Sequence, residues 1–266
     1  MTELEKEIKR YNIISLTGVR ATGSQYGKHP YRCLWDLCGK PLIQWMIEAV
    51  QGSKYIDKVV VATEDRKIAD VVEKLGATVV IKPFWMSLDI PHRYSLNKFA
   101  EKKPRSLRAK DSSIHTSAGW YILSYLEELE SYDPDIFLLA SANEPLGTAE
   151  TADRLIEAFF KDKEASEAIC LYPVDGYLHL INPKTNRPVE LFGEWSTDHQ
   201  LKIPLYRPGA FRVCGSPAIM ASGGLKKVHI MVPEEEGADI HNREDLFKAG
   251  CYMRRRLERE ASKEVK

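Results

Sequence analysis

Residues 13–42 read IISLTGVRATGSQYGKHPYRCLWDLCGKPL, and the rest of the chain is organised around them. The stretch opens with apolar and β-branched residues that predict a buried strand, and this run breaks at Gly18. A loop rich in glycine, arginine and lysine follows, and the sequence GKPL at residues 39–42 begins a helix. A strand, a basic glycine loop and a helix in this order are typical of an α/β domain.

The loop has the chemistry of a phosphate-binding site. Glycines let backbone N–H groups approach a polyphosphate closely, and arginine and lysine remain charged beside it. The loop residues of these types are Arg20, Gly23, Gly27, Lys28 and Arg32. The loop has neither the Gly-Lys-Ser/Thr of a Walker loop nor a Gly-x-Gly-x-x-Gly fingerprint, so an ordinary strand-to-helix connection is the alternative.

Apolar runs alternate with amphipathic segments along the chain and predict a doubly wound, Rossmann-like fold. The continuous apolar run at 59–62 is expected of a parallel strand that is covered on both faces. Other strands are predicted at 11–17, 77–81, 135–140, 169–174 and 228–232. Helices are predicted at 1–10, 40–52, 65–75, 111–130 and 148–161, with a last helix from residue 242. This pattern indicates one α/β domain over residues 1–266 with a mostly parallel sheet.

Residues 175–205 interrupt this pattern and predict a β-hairpin appendage. Short alternating segments run from 177 to 195 around the turn sequence NPKTN at 182–186. A hairpin of this size leaves an apolar face that it cannot bury by itself. We therefore expect the appendage to pack on a second subunit in a homodimer.

Composition argues against a nucleic-acid or membrane protein. Thirty-eight basic residues balance 38 acidic ones, so no overall field favours an anionic partner. The start, MTELEKEIKR, lacks an apolar signal core, and no later stretch is apolar and long enough to cross a bilayer. A cytoplasmic protein is expected.

The five scattered cysteines form no Cys-x-x-Cys pair, and we expect them to be reduced and mostly buried.

The opening stretch resembles the start of the acylneuraminate cytidylyltransferase family, whose members activate sialic-acid-type sugars with CTP. With residues 39–42 placed on the Gly-Lys-Pro-Leu of the family, Arg20 stands at its loop arginine and Arg32 at its phosphate-binding lysine. Cys33 replaces the family's next residue, an asparagine. The resemblance runs to about residue 257. It implies nucleotide contacts from Gly18, Arg20, Ser24, Lys28 and Arg32.

Two later segments extend the implied nucleotide site. The sequence KPFWMSLD at 82–89 resembles the family's Arg-Pro-x-x-Leu-Ala-x-Asp, with Lys82 replacing the arginine that reaches toward the nucleotide. Residues 90–110 are inserted relative to the family; a solvated surface loop is the favoured interpretation, and a basic lid over the triphosphate is the alternative. Ser112 and Ser113 stand where the family places a cytosine-reading serine, although helix capping also explains them.

Acceptor residues are expected where the predicted strand 135–140 ends. Ligands of open α/β sheets bind at the carboxyl ends of strands, so Ser141, Asn143 and Glu144 should face the glycine loop. The family contacts its sugar with this segment and closes it with an arginine. This chain has Gly147 there instead.

The segment YRPGAFRV at 206–213 resembles the Tyr-Arg-x-Asn-Gly-Ala-x-x-Val strand that enters the family's acceptor pocket. The resemblance implies that Arg207 binds an acidic group of the acceptor. Pro208 replaces the asparagine of the family. Arg212 is interpreted as an exposed residue of the same strand, which is the commoner position of arginine.

The metal site implied by the resemblance lies before the last helix. The family carries Asp-Ile-Asp there, both carboxylates holding Mg²⁺, and the matching residues here are Asp239 and His241. Magnesium prefers oxygen ligands and keeps several waters, so one carboxylate together with triphosphate oxygens is sufficient. A position just before a helix cap also explains Asp239.

Together these features predict a Mg²⁺-dependent enzyme that transfers CMP from CTP to an acidic sugar. Arg20 and Arg32 would hold the triphosphate, with Asp239 as the metal ligand. A different nucleotide or acceptor, or a sugar transfer on the same fold, is one alternative. A nucleotide-binding protein without catalytic activity is the other. It is motivated by the replaced family residues Cys33, Gly147, Pro208 and His241.

Overall fold

The computed structural model describes residues 1–21, 29–81, 131–173, 180–182, 187–189, 206–215 and 226–264. In these ranges the α-helices are α1 (Glu3–Ile8), α2 (Leu42–Gln51), α3 (Arg66–Lys74), α4 (Ala149–Lys161) and α5 (Arg243–Glu264). The strands are β1 (Ile13–Val19), β2 (Asp36–Leu37), β3 (Lys40–Pro41), β4 (Lys58–Thr63), β5 (Thr78–Ile81), β6 (Ile136–Ala140), β7 (Glu167–Pro173), β8 (Leu180–Asn182), β9 (Arg187–Val189), β10 (Tyr206–Cys214) and β11 (Lys227–Met231). Within the same described ranges, 3₁₀ turns cover Arg32–Leu34 and Glu234–Gly237.

Seven strands form one sheet in the order β11-β7-β10-β6-β1-β4-β5. β1 pairs in parallel with β4 and β6, and β4 pairs in parallel with β5. β10 runs antiparallel to both of its neighbours, β6 and β7, and β11 is parallel to β7. The predicted α/β fold with a mostly parallel sheet is confirmed.

Helix α2 shows how the sequence builds the main core. Its residues Ile43, Met46, Ile47 and Val50 recur at helical spacing, and each is at most 1% exposed. They pack in one cluster with apolar residues of the sheet and of α4. Complete burial of such a side chain contributes about 1.5–3 kcal/mol to folding. The apolar face of α2 therefore anchors the helix that follows the glycine loop.

A second, smaller core fixes the start of α5. Its buried members are Leu37, Leu42, Leu146, Ile240, Ala249 and Met253. The backbone N–H of Ile240 also donates a 2.9 Å hydrogen bond to the carbonyl of Asn143. The chain around Asp239 is therefore held against the turn that follows β6.

The predicted end of the first strand needs correction. β1 does not end at Gly18, because Gly18 pairs with Ala62 and the strand continues to Val19. β8 and β9 pair in antiparallel fashion inside the predicted appendage, 175–205. The predicted helix at 111–130 and the inserted segment 90–110 lie outside the described residues.

The remaining global expectations concern cysteines and membranes. All five cysteines are free; Cys33, Cys170 and Cys214 are buried, and Cys38 and Cys251 are partly exposed. Burial raises the pKa of the Cys33 and Cys170 thiols to about 12, which keeps them protonated and unreactive at neutral pH. Among the helices that the structure describes, none combines the length and the apolar character that crossing a membrane requires.

Candidate active site

A cleft of about 430 Å³ lies at the carboxyl ends of β1 and β6, beside the start of β10. Ligand sites of open α/β sheets occupy this position because the chain reverses its winding direction there. The sequence-predicted residues that line the cleft are Gly18, Arg20, Arg32, Ser141, Asn143, Glu144, Arg207 and Asp239. The end of the first strand and the turn after β6 therefore face one site, as the sequence predicts.

Arg32 is the most enclosed cation of this set, with 6% of its surface exposed. Its Nε donates to Oδ1 of Asn143 at 3.2 Å, and its Nη1 lies 3.4 Å from the carbonyl oxygen of His241. Burial lowers the pKa of the guanidinium, and the nearby carboxylate of Asp239 opposes that shift. An arginine stays protonated under these conditions. Arg32 is thus a fixed positive charge beside Asp239.

The turn after β6 is ordered by its own serine. The Ser141 hydroxyl accepts a 3.3 Å hydrogen bond from the backbone N–H of Asn143, and the Ser141 carbonyl accepts one of 3.1 Å from Glu144. The backbone N–H of Ser141 donates to the carbonyl of Ala210 on β10 at 3.3 Å. Ser141 therefore fixes the turn, and it presents Asn143 and Glu144 to the cleft.

Glu144 occupies an environment that disfavours a carboxylate. Burial raises the pKa of its carboxyl group to about 8, the charge of Asp239 adds to this, and a hydrogen bond from Ser141 opposes it. The positive charges of Arg212 and Arg207 also lower the pKa. At neutral pH, Glu144 is thus mainly protonated and can donate as well as accept a hydrogen bond.

Asp239 and His241 form a contact of their own. Nε2 of His241 lies 2.7 Å from Oδ2 of Asp239, and the His241 backbone N–H donates to Asp245 at 2.9 Å. Asp245 also exchanges hydrogen bonds with Asn242 at the start of α5. His241 does not itself line the cleft as described. The imidazole therefore orients the Asp239 carboxylate from outside the cleft.

The donors at this end of the cleft fit a magnesium ion in part. Asp239 offers a carboxylate whose side chain is 30% exposed, and Mg²⁺ prefers such hard oxygen ligands while keeping several waters. In the part of the chain that the structure describes, no three side chains of His, Cys, Asp or Glu converge on one metal position. Asp239 is the residue that would hold the ion, and His241 as a ligand stays a prediction.

β10 and β7 supply the other wall of the cleft. Arg207 is paired with Tyr172 in the β-ladder, and both residues line the cleft. The ring of Tyr172 packs against Gly237, where an added Cβ would lie only 2.0 Å from Cε1 of the ring. Sequence reasoning missed Tyr172. Tyr172 lies in an apolar strand pattern, which predicts a core residue and gives no sign of a binding site.

The interpretation of Arg212 as an exposed strand residue holds only in part. Its side chain is 36% exposed, but the residue lines the cleft, and Nη1 lies 3.6 Å from Oε1 of Glu167, a completely buried carboxylate. Glu167 stands at the start of β7, two residues before the predicted strand begins. The sequence offers a weak signal for this pair, namely an acid and an arginine inside apolar strand patterns.

Some predicted site residues cannot be placed. Ser24, Lys28, Lys82, Ser112 and Ser113 lie outside the described residues. Their nucleotide contacts stay predictions.

Comparison with known proteins adds an independent indication. Residues 30–85 match the sequence model of the Cytidylyltransferase family. This segment is about a fifth of the chain, and it contains Arg32 and the GKPL sequence that begins α2. The rest of the cleft lies outside the matched segment.

Two curated relatives carry the name 3-deoxy-manno-octulosonate cytidylyltransferase. The protein from Bdellovibrio bacteriovorus is 26% identical over 147 residues, which are 55% of this chain and 47% of the relative. The protein from Trichlorobacter lovleyi is 37% identical over 60 residues, or 22% of this chain and 24% of the relative. The chain thus spans about half or less of the length of these relatives. The similarity is to cytidylyltransferases in general; membership of the acylneuraminate branch stays a prediction.

Two solved structures share the fold over nearly the whole chain. CMP:2-keto-3-deoxy-manno-octonic acid synthetase, complexed with CTP, superposes with a TM-score of 0.60 at 13% identity and covers 92% of this chain and 99% of that one. The 4-diphosphocytidyl-2C-methyl-D-erythritol synthase from Anaerococcus prevotii gives 0.60 at 13% identity, covering 93% and 99%. At this identity the likeness establishes the α/β fold alone.

Proposed function

We propose that this protein transfers CMP from CTP to an acidic sugar and releases pyrophosphate. The observation that carries the proposal is one cleft in which the buried cation Arg32 lies beside Asp239 at the carboxyl ends of the central strands. The segment that matches the Cytidylyltransferase family contributes Arg32 to this cleft. Basic side chains beside a carboxylate are what binding of a nucleoside triphosphate with its metal requires.

The reaction is a displacement at phosphorus. A hydroxyl of the acceptor gives its proton to solvent water as its oxygen bonds to the α-phosphorus of CTP. The bond between that phosphorus and the oxygen leading to the β-phosphate breaks, and pyrophosphate leaves with the electron pair. Most of the catalysis lies in positioning the reactants and in stabilising the developing negative charge. In this proposal Arg20 and Arg32 hold the triphosphate by charge-assisted hydrogen bonds.

Magnesium is part of the proposal. Bound through the carboxylate of Asp239, it would neutralise charge on the triphosphate and polarise a phosphoryl oxygen. Arg32 supports this arrangement because it is anchored to Asn143 and its positive charge acts on Asp239.

The acceptor site follows from the other end of the cleft. Arg207 lies where it can bind an acidic group, and a protonated Glu144 can hydrogen-bond a sugar hydroxyl. The named acceptor of both curated relatives, 3-deoxy-manno-octulosonate, is an acid of this kind. We propose an acidic sugar as substrate, and a homodimer formed through the 175–205 appendage.

The test is pyrophosphate release in a matrix of nucleotides and acceptors. We expect release with CTP, Mg²⁺ and 3-deoxy-manno-octulosonate or N-acetylneuraminate, and much slower release with ATP, GTP or UTP. CTP with Mg²⁺ should also raise the melting temperature more than the other three nucleotides, by mass action on the folded state. An equal response to all four would remove the cytidylyl assignment and leave phosphate binding intact.

A nucleotide-binding protein without catalytic activity is the second candidate. The contact between His241 and Asp239 favours it, because one oxygen of the metal-binding carboxylate is engaged by an imidazole. CTP binding by calorimetry, without pyrophosphate release under any metal and acceptor, would support this candidate over the first.

A further inference from the structure

Arg212 occupies an unusual position for a charged residue. It lies within β10, which is hydrogen-bonded on both sides in the interior of the sheet. Arg212 nevertheless lines the cleft, and its side chain is 36% exposed. Charged side chains on interior strands are rare and need a partner. The residue that compensates Arg212 is Glu167.

The carboxylate of Glu167 is completely buried and faces two cations. Its Oε1 lies 3.6 Å from Nη1 of Arg212, and its Oε2 lies 2.9 Å from Nζ of Lys227. Strand register explains the arrangement. Glu167 is paired directly with Lys227 on β11, and it reaches Arg212 on β10 diagonally, two residues from the directly paired Cys214. Burying a carboxylate is costly unless cations offset it, so Glu167 holds both side chains in place.

One carboxylate cannot neutralise two cations. The group of Glu167, Arg212 and Lys227 carries one net positive charge, and of its two cations Arg212 is the one that lines the cleft. The distance of 3.6 Å exceeds hydrogen-bond length, so Glu167 attracts the guanidinium without accepting a hydrogen bond from Nη1. A guanidinium presents five N–H donors in a planar fork, which matches a carboxylate in two-point contact.

Arg212 and Arg207 both line the cleft. The positive charge of each lowers the pKa of Glu144, which lines the same cleft. The two arginines approach from one strand on either side of an irregularity in its pairing with β7, between Pro208 and Arg212. The cleft therefore holds two arginines whose charges act on Glu144, in addition to the pair Arg20 and Arg32.

We propose that Arg212 determines acceptor specificity by binding the acceptor's carboxylate together with Arg207, and that Glu167 is the residue that positions its guanidinium. This assignment rests on the proposed function and adds to it a specificity-determining residue, Arg212, and a positioning residue, Glu167. Lys227 balances the buried acid from the side away from the cleft.

The test compares Arg212→Gln with Lys227→Gln. Each substitution removes one of the two cations that pair with Glu167, and of these two residues only Arg212 lines the cleft. With 3-deoxy-manno-octulosonate as acceptor, Arg212→Gln is expected to raise its KM at least tenfold, with the KM for CTP within twofold and kcat within threefold. Lys227→Gln should leave the acceptor KM within twofold. Arg212→Lys should recover part of the loss, and Glu167→Gln should raise the acceptor KM less than Arg212→Gln.

The methyl ester of the acid supplies the specificity readout. Arg212→Gln should have the same KM for this uncharged ester as the wild type. The ester has no carboxylate for Arg212 to bind, so the loss of the arginine makes no difference. An equal loss in Lys227→Gln would make the effect purely structural, and a selective rise in the KM for CTP would assign Arg212 to the nucleotide. Either result overturns the proposal while the transferase activity stands.

Calorimetry separates this proposal from the proposed function. Binding of 3-deoxy-manno-octulosonate is measured directly, with and without CTP, so no turnover is needed. If the wild type releases no pyrophosphate but binds the acid, at least tenfold weaker binding in Arg212→Gln supports the role of Arg212. If neither 3-deoxy-manno-octulosonate nor N-acetylneuraminate binds to the wild type, the assignment of Arg212 is overturned as well.

Discussion

Nε2 of His241 lies 2.7 Å from Oδ2 of Asp239, so the imidazole engages one oxygen of the carboxylate proposed to bind the metal. The same histidine accepts, through its backbone carbonyl, a contact from the buried guanidinium of Arg32 at 3.4 Å. One residue thus touches both charges at this end of the cleft. Its side chain and its main chain have separate roles, and substitution of the side chain leaves the main-chain contact in place.

The first prediction concerns the metal-binding carboxylate. Asp239→Asn should lower turnover by about 10² while CTP affinity changes little, because charge stabilisation at the reacting phosphorus acts mainly in the transition state. His241→Asp supplies a second carboxylate and should keep turnover with Mg²⁺ level or higher. The measurement is pyrophosphate release with each of Mg²⁺, Mn²⁺ and Co²⁺.

The metal series also tests His241 as a ligand. Imidazole suits Mn²⁺ and Co²⁺ better than Mg²⁺, so a coordinating His241 would make the wild type prefer the softer ions. In that case His241→Asp should shift the preference toward Mg²⁺. An identical metal preference in wild type and His241→Asp would contradict coordination by His241.

The second prediction concerns the anchor of Arg32. Asn143→Ala removes the oxygen that accepts from Nε of Arg32 and should lower the free energy of unfolding by about 1–3 kcal/mol, because a buried donor loses its partner. Asn143→Asp keeps an oxygen acceptor and is the matched control. Denaturant unfolding gives the stability, and the CTP-induced rise in melting temperature should shrink in the alanine variant. Equal stability of both variants would show that this hydrogen bond is unimportant.

The third prediction follows from the pKa of Glu144, which burial raises from 4.5 to about 8. Between these values the native protein keeps a proton that the unfolded chain has released, so this residue makes the free energy of unfolding fall as pH rises. The slope is at most about 1.4 kcal/mol per pH unit. Glu144→Gln removes this titrating group. The free energy of unfolding of Glu144→Gln should therefore exceed that of the wild type by an amount that grows from about pH 5 to about pH 8.

Urea unfolding across that range measures the difference directly. Glu150, an exposed glutamate at the start of α4, provides the control substitution Glu150→Gln. It makes the same chemical change outside the cleft, so the pH dependence specific to Glu144 is the difference between the two variants. A stability difference between Glu144→Gln and wild type that is constant with pH would contradict the raised pKa of Glu144.

Local features of the fold were predictable because the signals lie within a few residues. The apolar spacing of α2 and the continuous apolar run of β4 indicated each element directly. The predicted helix start at Asp65 is confirmed by its side chain, which accepts from the N–H of Ile68 at 3.0 Å. The end of β1 was misjudged because Gly18 has turn propensity, and its pairing with Ala62 overrides that propensity.

The site was predictable only as separate residues. Arg32 and Asn143 are 111 positions apart, and no periodicity encodes their hydrogen bond. Glu167 was missed because a charged residue at a strand end reads as loop, and its partners lie on strands that are neighbours only in the folded sheet. The resemblance to a known family predicted that Arg32 and Asp239 act in the same reaction. The contacts that hold these residues in place could be seen only in the structure.

The fourth prediction concerns assembly through residues 175–205. A two-stranded hairpin such as β8 and β9 is marginal in water unless something packs on it. We expect light scattering to give a symmetric dimer at micromolar concentration. Replacing residues 178–192 by a short Gly-Ser linker should give a folded monomer. A monomeric wild type whose appendage exchanges its amide hydrogens at the unprotected rate would count against the dimer.

The fifth prediction concerns Gly147, which stands where the acylneuraminate cytidylyltransferase family has an arginine. A Cβ at Gly147 would lie 2.6 Å from Cζ of Phe211, a residue that is 1% exposed and cannot move aside freely. Gly147→Ala should therefore destabilise the protein by about 1–3 kcal/mol through overpacking, and Gly147→Arg by more.

Gly250→Ala is the control, because its nearest neighbour is the flexible end of Arg254 at 3.3 Å. In a helix interior that change should stabilise by about 0.5–1 kcal/mol. Denaturant unfolding of both variants should give opposite signs. A neutral Gly147→Ala would show that Phe211 yields.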